Sequence, residues 1–268
     1  MNEFRARHFS VKHLVIASIS QHLFRDYAYT IRHGLAAGMR RRGGLGFLPF
    51  EPSETPESRF LRTLSLENKV VYDVGAFEGV LTLFFARKAK QVIAYEPNPR
   101  NFARCVENIR LNDLKNVQVL NRGVSDRSGT INLTYDPLMP GAGSGEMAIA
   151  HQISSSIKSS QNLEIPIVSL DDDISLNDLA APDLIKIDIE GLEFQALKGM
   201  QRTLWERRPD LFIEMHGATP KEKVEIAEAV MDLLETCGYR IFDVERGRYL
   251  TRASLGNQRP GHLYCTRD

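Results

Sequence analysis

Two groups of residues in this sequence have the types and spacing for chemistry. The first is Asp73, Gly75, Gly79 and Glu96. The stretch KVVYDVGAFEG, from Lys69 to Gly79, opens with β-branched and aromatic residues, breaks at Gly75 and passes Gly79 into the apolar run VLTLFFARKA. That order reads as strand, glycine loop, helix. Glycine lacks a Cβ, so the backbone can turn sharply there and approach a ligand closely. The next apolar run, QVIAYE, ends in Glu96, 17 residues after Gly79. A carboxylate at the tip of a second strand, so placed after a glycine loop, can accept hydrogen bonds from ribose hydroxyls. The alternative for Glu96 is an acid in a first helical turn, stabilised by the helix dipole. The glycine spacing is GxxxG, not GxGxxG, so the pyrophosphate fingerprint is incomplete. This disfavours NAD. It favours a ligand with a ribose and a charged amino-acid end but no pyrophosphate, and S-adenosylmethionine is such a ligand.

The second group lies further along. In LIKIDIEG (Leu184 to Gly191), Lys186, Asp188 and Glu190 alternate with isoleucines, so the three polar residues share one face of a strand. Unpaired buried charge is costly, so three charges on a buried strand need a reason. In LFIEMHG (Leu211 to Gly217), Glu214 and His216 also share a face near a strand's carboxyl end, where open α/β sheets bind ligands. Were these strands neighbours, Asp188, Glu190, Glu214 and His216 would line one crevice. That set could deprotonate a hydroxyl or hold a hard divalent cation. The structural alternatives are that Lys186 pairs with Asp188 and that Glu190 and Glu193 stabilise a helix start. The other histidines carry no comparable case. Asp171 to Asp173 invite a metal reading, but consecutive strand residues point to opposite faces, and helix capping suits them better.

Strands alternating with helices must position these groups. NFARCVENIRL (Asn101 to Leu111) has Phe102, Cys105, Val106 and Ile109 on one face, with Asn98 before Pro99 as a cap. VQVLNRGVSD (Val117 to Asp126) reads as a strand ending in a turn, followed by the strand TINLTYD. Residues 137–162, rich in glycine, proline and serine, read as a loop long enough to cover a substrate. EFQALKGMQRTLW and EKVEIAEAVMDLLETCGY read as helices, and RIFDVE and GHLYCT as closing strands. The alternation predicts an α/β fold: a mostly parallel sheet with helices on both faces.

Residues 1–66 differ from the rest and read as an extension and linker, with the main domain at 67–268. Up to Phe50 there are eight Lys/Arg against two acids, and four of the seven histidines. Leu14, Ile19, Leu23, Tyr27, Ile31 and Leu35 recur at helical spacing, predicting helix from Val11 to Met39. The alternatives for this segment are a basic lid or docking arm, offering peripheral contact with a membrane, and helices packed on the sheet with a solvated basic face. Over the 268 residues the net charge is +0, which argues against a nucleic-acid partner. Cys105, Cys237 and Cys265 show no CxxC spacing, so structural zinc is not expected and a reducing compartment fits. No apolar run reaches the roughly 18 residues of a spanning helix, and Lys12 and His13 interrupt any signal-like core. The expectation is cytoplasmic.

DVGAFEG, YEPNP, ENIRLN, GVSD, KIDIEG with the following LKG, and IEMHG occur here in order. Together they resemble the FkbM-type S-adenosylmethionine-dependent methyltransferases over roughly Val70 to Tyr239. The resemblance implies a class I methyltransferase fold, a Rossmann-like seven-stranded sheet with an antiparallel last strand. It also implies methyl transfer to the oxygen of a sugar-like or polyketide-like acceptor. Carried onto this chain, the loop Asp73, Val74, Gly75 and Ala76 holds the methionine end, and Gly79 also counts among the cofactor-binding residues. Glu96 takes the ribose hydroxyls, beside Pro97 and Asn98. Val124, Ser125 and Asp126 flank the adenine, and Asp188 faces the transferring methyl. The family loop usually reads GAN; Phe77 stands at the asparagine position here, so a side-chain hydrogen bond is lost. The expected function is O-methylation of a small-molecule or glycan hydroxyl. The alternatives are a non-catalytic cofactor-binding module docking through the basic N-terminus, and an NAD-linked dehydrogenase.

Overall fold

The computed structural model describes residues 23–44, 54–137, 139–255 and 261–267. Its first elements are a hairpin, β1 (Ala28–Thr30) and β2 (Arg40–Arg42), and a helix, α1 (Pro56–Thr63). There follow β3 (Val70–Val74), α2 (Val80–Ala86), β4 (Gln91–Tyr95), α3 (Pro99–Leu111) and β5 (Val117–Leu120). The middle of the chain holds β6 (Gly123–Ser125), β7 (Gly129–Asp136), β8 (Met139–Ser144), α4 (Met147–Ser156), β9 (Gln161–Ser169) and α5 (Leu170–Leu176). Next are β10 (Leu184–Ile187), α6 (Glu193–Lys198), α7 (Gln201–Glu206), β11 (Asp210–Glu214) and α8 (Pro220–Thr236). The last are β12 (Arg240–Asp243), β13 (Arg248–Tyr249), α9 (Arg252–Leu255) and β14 (His262–Thr266).

The main sheet runs β13-β12-β14-β11-β10-β3-β4-β5. Strands β5, β4, β3, β10 and β11 are parallel neighbours, and β14 is antiparallel to both β11 and β12. This is the class I methyltransferase order, with an antiparallel last strand and an added two-residue edge, β13. The apolar runs VVYDV and LIKI are buried along their whole length, as strands covered on both faces must be. The chain leaves β3 toward β4 on one side, and β10 lies on the other, so the strand order reverses between β3 and β10. A crevice opens at their carboxyl ends.

A second sheet, β6-β9-β7-β8, stands apart from the first. Here the structure corrects the reading of residues 137–162 as a loop. They form β8, α4 and the start of β9, and Ile149, Ile153 and Ile157 make a small buried cluster. The glycines misled: Gly143 and Gly145 are in tight packing, where a Cβ would lie 2.8 Å from Tyr135 Cβ and 2.5 Å from Ile131 Cδ1. The segment EFQALKGMQRTLW is likewise two helices. It breaks at Gly199, where a Cβ would meet the Ser125 carbonyl oxygen at 1.9 Å. The Asp171 carboxylate caps the second helix, accepting from Arg202 N and Thr203 N, so one of the three aspartates does serve a cap.

The helix expected from Val11 to Met39 lies outside the described residues up to 22. From Ala28 to Arg42 it is replaced by the hairpin, with Tyr29 opposite Arg41. Gly34 and Gly38, at φ 84° and 86°, end any helix, and Tyr29, Ile31, Ala36 and Met39 are buried against Cys105 and Ile109 of α3. Asn108 of α3 and Asn112 just after it bond the β2 backbone, and Arg41 and Arg42 pair with Glu78 and Glu107. Arg41 and Arg42 are therefore neutralised internally. Leu61 of α1 packs in one core with Val71, Phe85 and Phe212 of the main sheet and its helices. Among the described residues, no helix is long and apolar enough to cross a membrane.

Candidate active site

The loop after β3 is held from beneath. Gly75 N and Ala76 N both donate to the Tyr95 carbonyl at 3.0 Å. Gly75 has φ 84°, and a Cβ there would sit 1.8 Å from the Asp188 carbonyl oxygen, so glycine is required by the approach of two strand ends. Gly79, at φ 83°, abuts Cys105 Sγ. Asp73 is fully buried below the loop and accepts from Thr82 Oγ1 at 2.6 Å. Lys186 reaches across from β10. Its Nζ donates to the Gly75 carbonyl at 2.8 Å and lies 3.3 Å from both Asp73 and Asp188. Burial opposes charge on this ammonium, but the two carboxylates outweigh it and raise its pKa.

A cavity opens above the loop. Its floor includes Val74, Gly75, Glu96, Pro97 and Asn98. Val124 and the β7 and β9 side chains Ile131, Leu133, Ile165 and Ile167 make an apolar wall, and Asp188, Glu190 and Leu192 close the far end. Glu96 is 6% exposed and accepts from Phe77 N at 2.8 Å, Asn98 N at 2.9 Å and Asn101 Nδ2 at 3.3 Å. Burial nevertheless pushes its pKa up to about 7, because these donors are neutral. Asn98 Nδ2 is buried at the cavity without a hydrogen-bond partner among the described residues. Phe77 lines the same cavity at φ 51°, a conformation that asparagine tolerates better than phenylalanine.

Beyond the far end lies a cluster of acids around an imidazole. Strands β10 and β11 are parallel neighbours, so their carboxyl ends meet. His216 Nε2 lies 3.5 Å from Glu214, 3.7 Å from Glu190 and 3.9 Å from Asp188. Its Nδ1 is 2.9 Å from the buried Glu193 carboxylate, which also accepts from Gly191 N. Burial disfavours the imidazolium, yet the surrounding carboxylates, Glu193 and Glu214 first, raise its pKa to about 11. Glu214 responds in the opposite sense. Burial raises it, but His216 and His262 hold it well below the ordinary carboxylate range. Glu190 is pushed up to about 7 by burial, with His216 opposing. Its backbone has φ 53°, and its carbonyl accepts from Ser144 Oγ, which ties the turn to the second sheet.

The sequence model described as Methyltransferase FkbM domain matches residues 73–241. The chain belongs to the FkbM methyltransferase family. Among curated relatives, the hexuronic acid methyltransferase AglP of Haloferax volcanii is 30% identical over 171 residues, 63% of this chain and 65% of that protein. The 2-O-methyltransferase NoeI of Sinorhizobium fredii is 28% identical over 186 residues, 64% of this chain and 73% of the relative. A solved structure, methyltransferase FkbM from Methylobacillus flagellatus, is similar over 80% of this chain with 21% identity and a TM-score of 0.49. The chain spans 48% of that protein's length.

Within this FkbM domain, Val74, Gly75, Glu96, Pro97, Asn98 and Val124 line the cavity with Asp188 and Glu190. Asp73, Ala76 and Gly79 support the loop and do not line it. Ser125 is buried against Gly199, and Asp126 pairs with Lys198 at 3.6 Å. Neither borders the cavity, because β6 turns them toward α6. Glu214 and His216 stand behind Asp188 and Glu190. Asp188, Glu214 and His216 offer one ligand atom each, all within 4.8 Å of one another, a set suited to a divalent cation. The sequence reading missed His262, which lies 3.4 Å from Glu214, and it took Glu193 only for a helix-start acid. Nothing local marks His262; it meets Glu214 only through antiparallel register.

Proposed function

We propose that this chain transfers a methyl group from S-adenosylmethionine to a hydroxyl oxygen of a small molecule or glycan. The observation that carries this reading is the single cavity running from Glu96 to Asp188 and Glu190. The residues fit the cofactor: a buried carboxylate with a raised pKa gains from hydroxyl donors, and the partnerless Asn98 amide awaits an acceptor. The bound cofactor supplies an electrophilic methyl on sulfur. Glu96 would accept from the ribose hydroxyls, the isoleucines and leucine of the second sheet would cover the adenosine and exclude water, and the loop at Gly75 would take the amino-acid end. Asp188, fixed by Lys186, orients the acceptor hydroxyl. Glu190, with a pKa of about 7, takes its proton near neutral pH. Holding both reactants in line accounts for much of the acceleration.

Relatives named for hexuronic acid methylation and for 2-O-methylation support an oxygen acceptor of sugar type. We assign the catalytic domain to residues 67–268 and a cytoplasmic setting. The first test is calorimetric titration with S-adenosylhomocysteine, on the wild type and on Glu96→Ala, followed by an acceptor screen with methyl-labelled cofactor. Micromolar binding lost in the variant supports the reading, and absence of binding removes it. Binding without transfer to any acceptor pool would favour a non-catalytic cofactor-binding module. A second reading of the acid–imidazole cluster rests on the three converging ligand atoms of Asp188, Glu214 and His216. In it the cluster holds a divalent cation that orients the acceptor. Turnover that survives exhaustive chelation argues against this second reading.

A further inference from the structure

Behind the cluster is a second imidazole, His262, the first residue of β14. It lies directly opposite Glu214 in the β11–β14 register. Glu214 thereby lies between two rings at ion-pair distance: Oε1 is 3.5 Å from His216 Nε2, and Oε2 is 3.4 Å from His262 Nε2, a contact without hydrogen-bond geometry. His262 is itself immobilised. Its ring stacks on Phe212 with centroids 5.5 Å apart. Its Nδ1 bonds Glu245 Oε1, and its backbone N donates to Glu245 Oε2 at 2.9 Å. A Cβ on Gly261 would meet Glu245 Oε1 at 2.6 Å, so that carboxylate is also closely packed. From α1, Glu57 approaches His262 Nε2 at 3.9 Å. Glu57, Glu245 and His262 all lie outside residues 73–241, so the family match assigns them nothing.

We infer that His262 is a positioning residue: held by Phe212 and Glu245, it fixes the Glu214 carboxylate and, through Glu214, the His216 ring that faces Asp188 and Glu190. A carboxylate free on one side would swing toward His216 and compete for its Nε2. Pinned from the other side, Glu214 leaves that nitrogen shared with Glu190 and Asp188. His262 does not border the cavity, so it acts through its neighbours and touches no reactant. The inference rests on the reading that Asp188 and Glu190 handle the acceptor hydroxyl. Its test does not require the acceptor.

The experiment compares His262→Phe and His262→Gln with the wild type. Phenylalanine keeps the stack on Phe212 and removes both ring nitrogens; glutamine restores a donor toward Glu214. Glu57 and Glu245 are 28% and 31% exposed, so water reaches both carboxylates once the imidazole is gone and the fold should tolerate both changes. The readout is the ring nitrogen resonances of His216 in the full-length protein, assigned with His216→Gln, alongside titration with S-adenosylhomocysteine. The expected result is a displaced His216 signal in His262→Phe, return toward the wild-type position in His262→Gln, and affinity within about twofold throughout. His216 signals in His262→Phe that coincide with the wild type would overturn the inference. If His262→Phe does not fold, a displaced signal in Glu245→Ala, which removes the acceptor holding the His262 ring, supports the inference and an undisplaced one overturns it. Loss of binding in the wild type would instead remove the proposed function.

Discussion

Glu96, after β4, and Glu214, at the end of β11, are both carboxylates at the carboxyl edge of one sheet, yet the protein treats them oppositely. Glu96 meets only neutral donors, two backbone amides and the Asn101 amide, and burial pushes its pKa up to about 7. Glu214 lies between two imidazoles and is held well below its usual range. Hydrogen bonds from neutral groups offset burial in part, whereas an adjacent cation reverses it. The first end is suited to accept neutral hydroxyls; the second maintains a set of charges beside the reacting hydroxyl. Lys186, bonded to the Gly75 carbonyl and paired with Asp188, joins the two ends.

Four measurements would break or sharpen this contrast. The largest effect is expected at the charged end: Glu190→Gln should lower turnover roughly 10²–10⁴-fold while affinity for S-adenosylhomocysteine stays within about twofold. A parallel fall in affinity would show that the two ends do not act separately. Next is the joint between them. Lys186→Met leaves Asp73 buried without its cation and should cost about 3–5 kcal/mol in urea unfolding; a loss below 1 kcal/mol would mean that Thr82 alone satisfies Asp73. Third, Glu96→Ala should weaken S-adenosylhomocysteine binding by about 1.5–3 kcal/mol, the range for hydrogen bonds to a charged group, and should also cost about 1–3 kcal/mol in urea unfolding, because Phe77 N, Asn98 N and the Asn101 amide lose their acceptor.

The smallest effect concerns pH. The Glu96 pKa is raised in the folded state, so its contribution to stability is full below the unfolded value near 4.5 and is lost as pH rises through about 7. Between pH 5 and 8 the wild type should therefore lose stability relative to Glu96→Gln. Over the same window wild-type affinity for S-adenosylhomocysteine should rise, because the ionised carboxylate accepts the ribose hydroxyls, and the Glu96→Gln profile should be flat. Parallel curves for the two proteins would mean that Glu96 is already ionised at pH 5.

Much of the site was readable one strand at a time. Lys186, Asp188 and Glu190 stood out as charges in an isoleucine run, and Glu214 and His216 as polar residues at the end of LFIE, but the shared strand faces did not hold: β10 ends at Ile187 and β11 at Glu214, so Asp188, Glu190 and His216 lie in the turns that follow. The glycines were read correctly as a loop but for an incomplete reason. Gly75 and Gly79 are required at least as much by the backbone of Asp188 and the thiol of Cys105 as by any ligand. The glycines of residues 137–162 carried the opposite error, since composition alone does not separate a loop from a strand packed too closely for side chains. The N-terminal apolar spacing suited a helix and a hairpin equally over a few turns, and two left-handed glycines decided between them.

By itself the sequence determined the strand–loop–helix start, the alternation that makes a parallel sheet, and the identity of the acids at strand ends. These depend on side-chain period and backbone freedom, which are local properties. Only the tertiary structure decided which acids share a charge environment. Glu193 reaches His216 by way of a helix turn, Lys186 reaches Asp73 because β10 lies beside β3, and His262 reaches Glu214 because β14 runs antiparallel to β11. Electrostatic coupling depends on distance through space, and strand order with register sets that distance independently of separation along the chain.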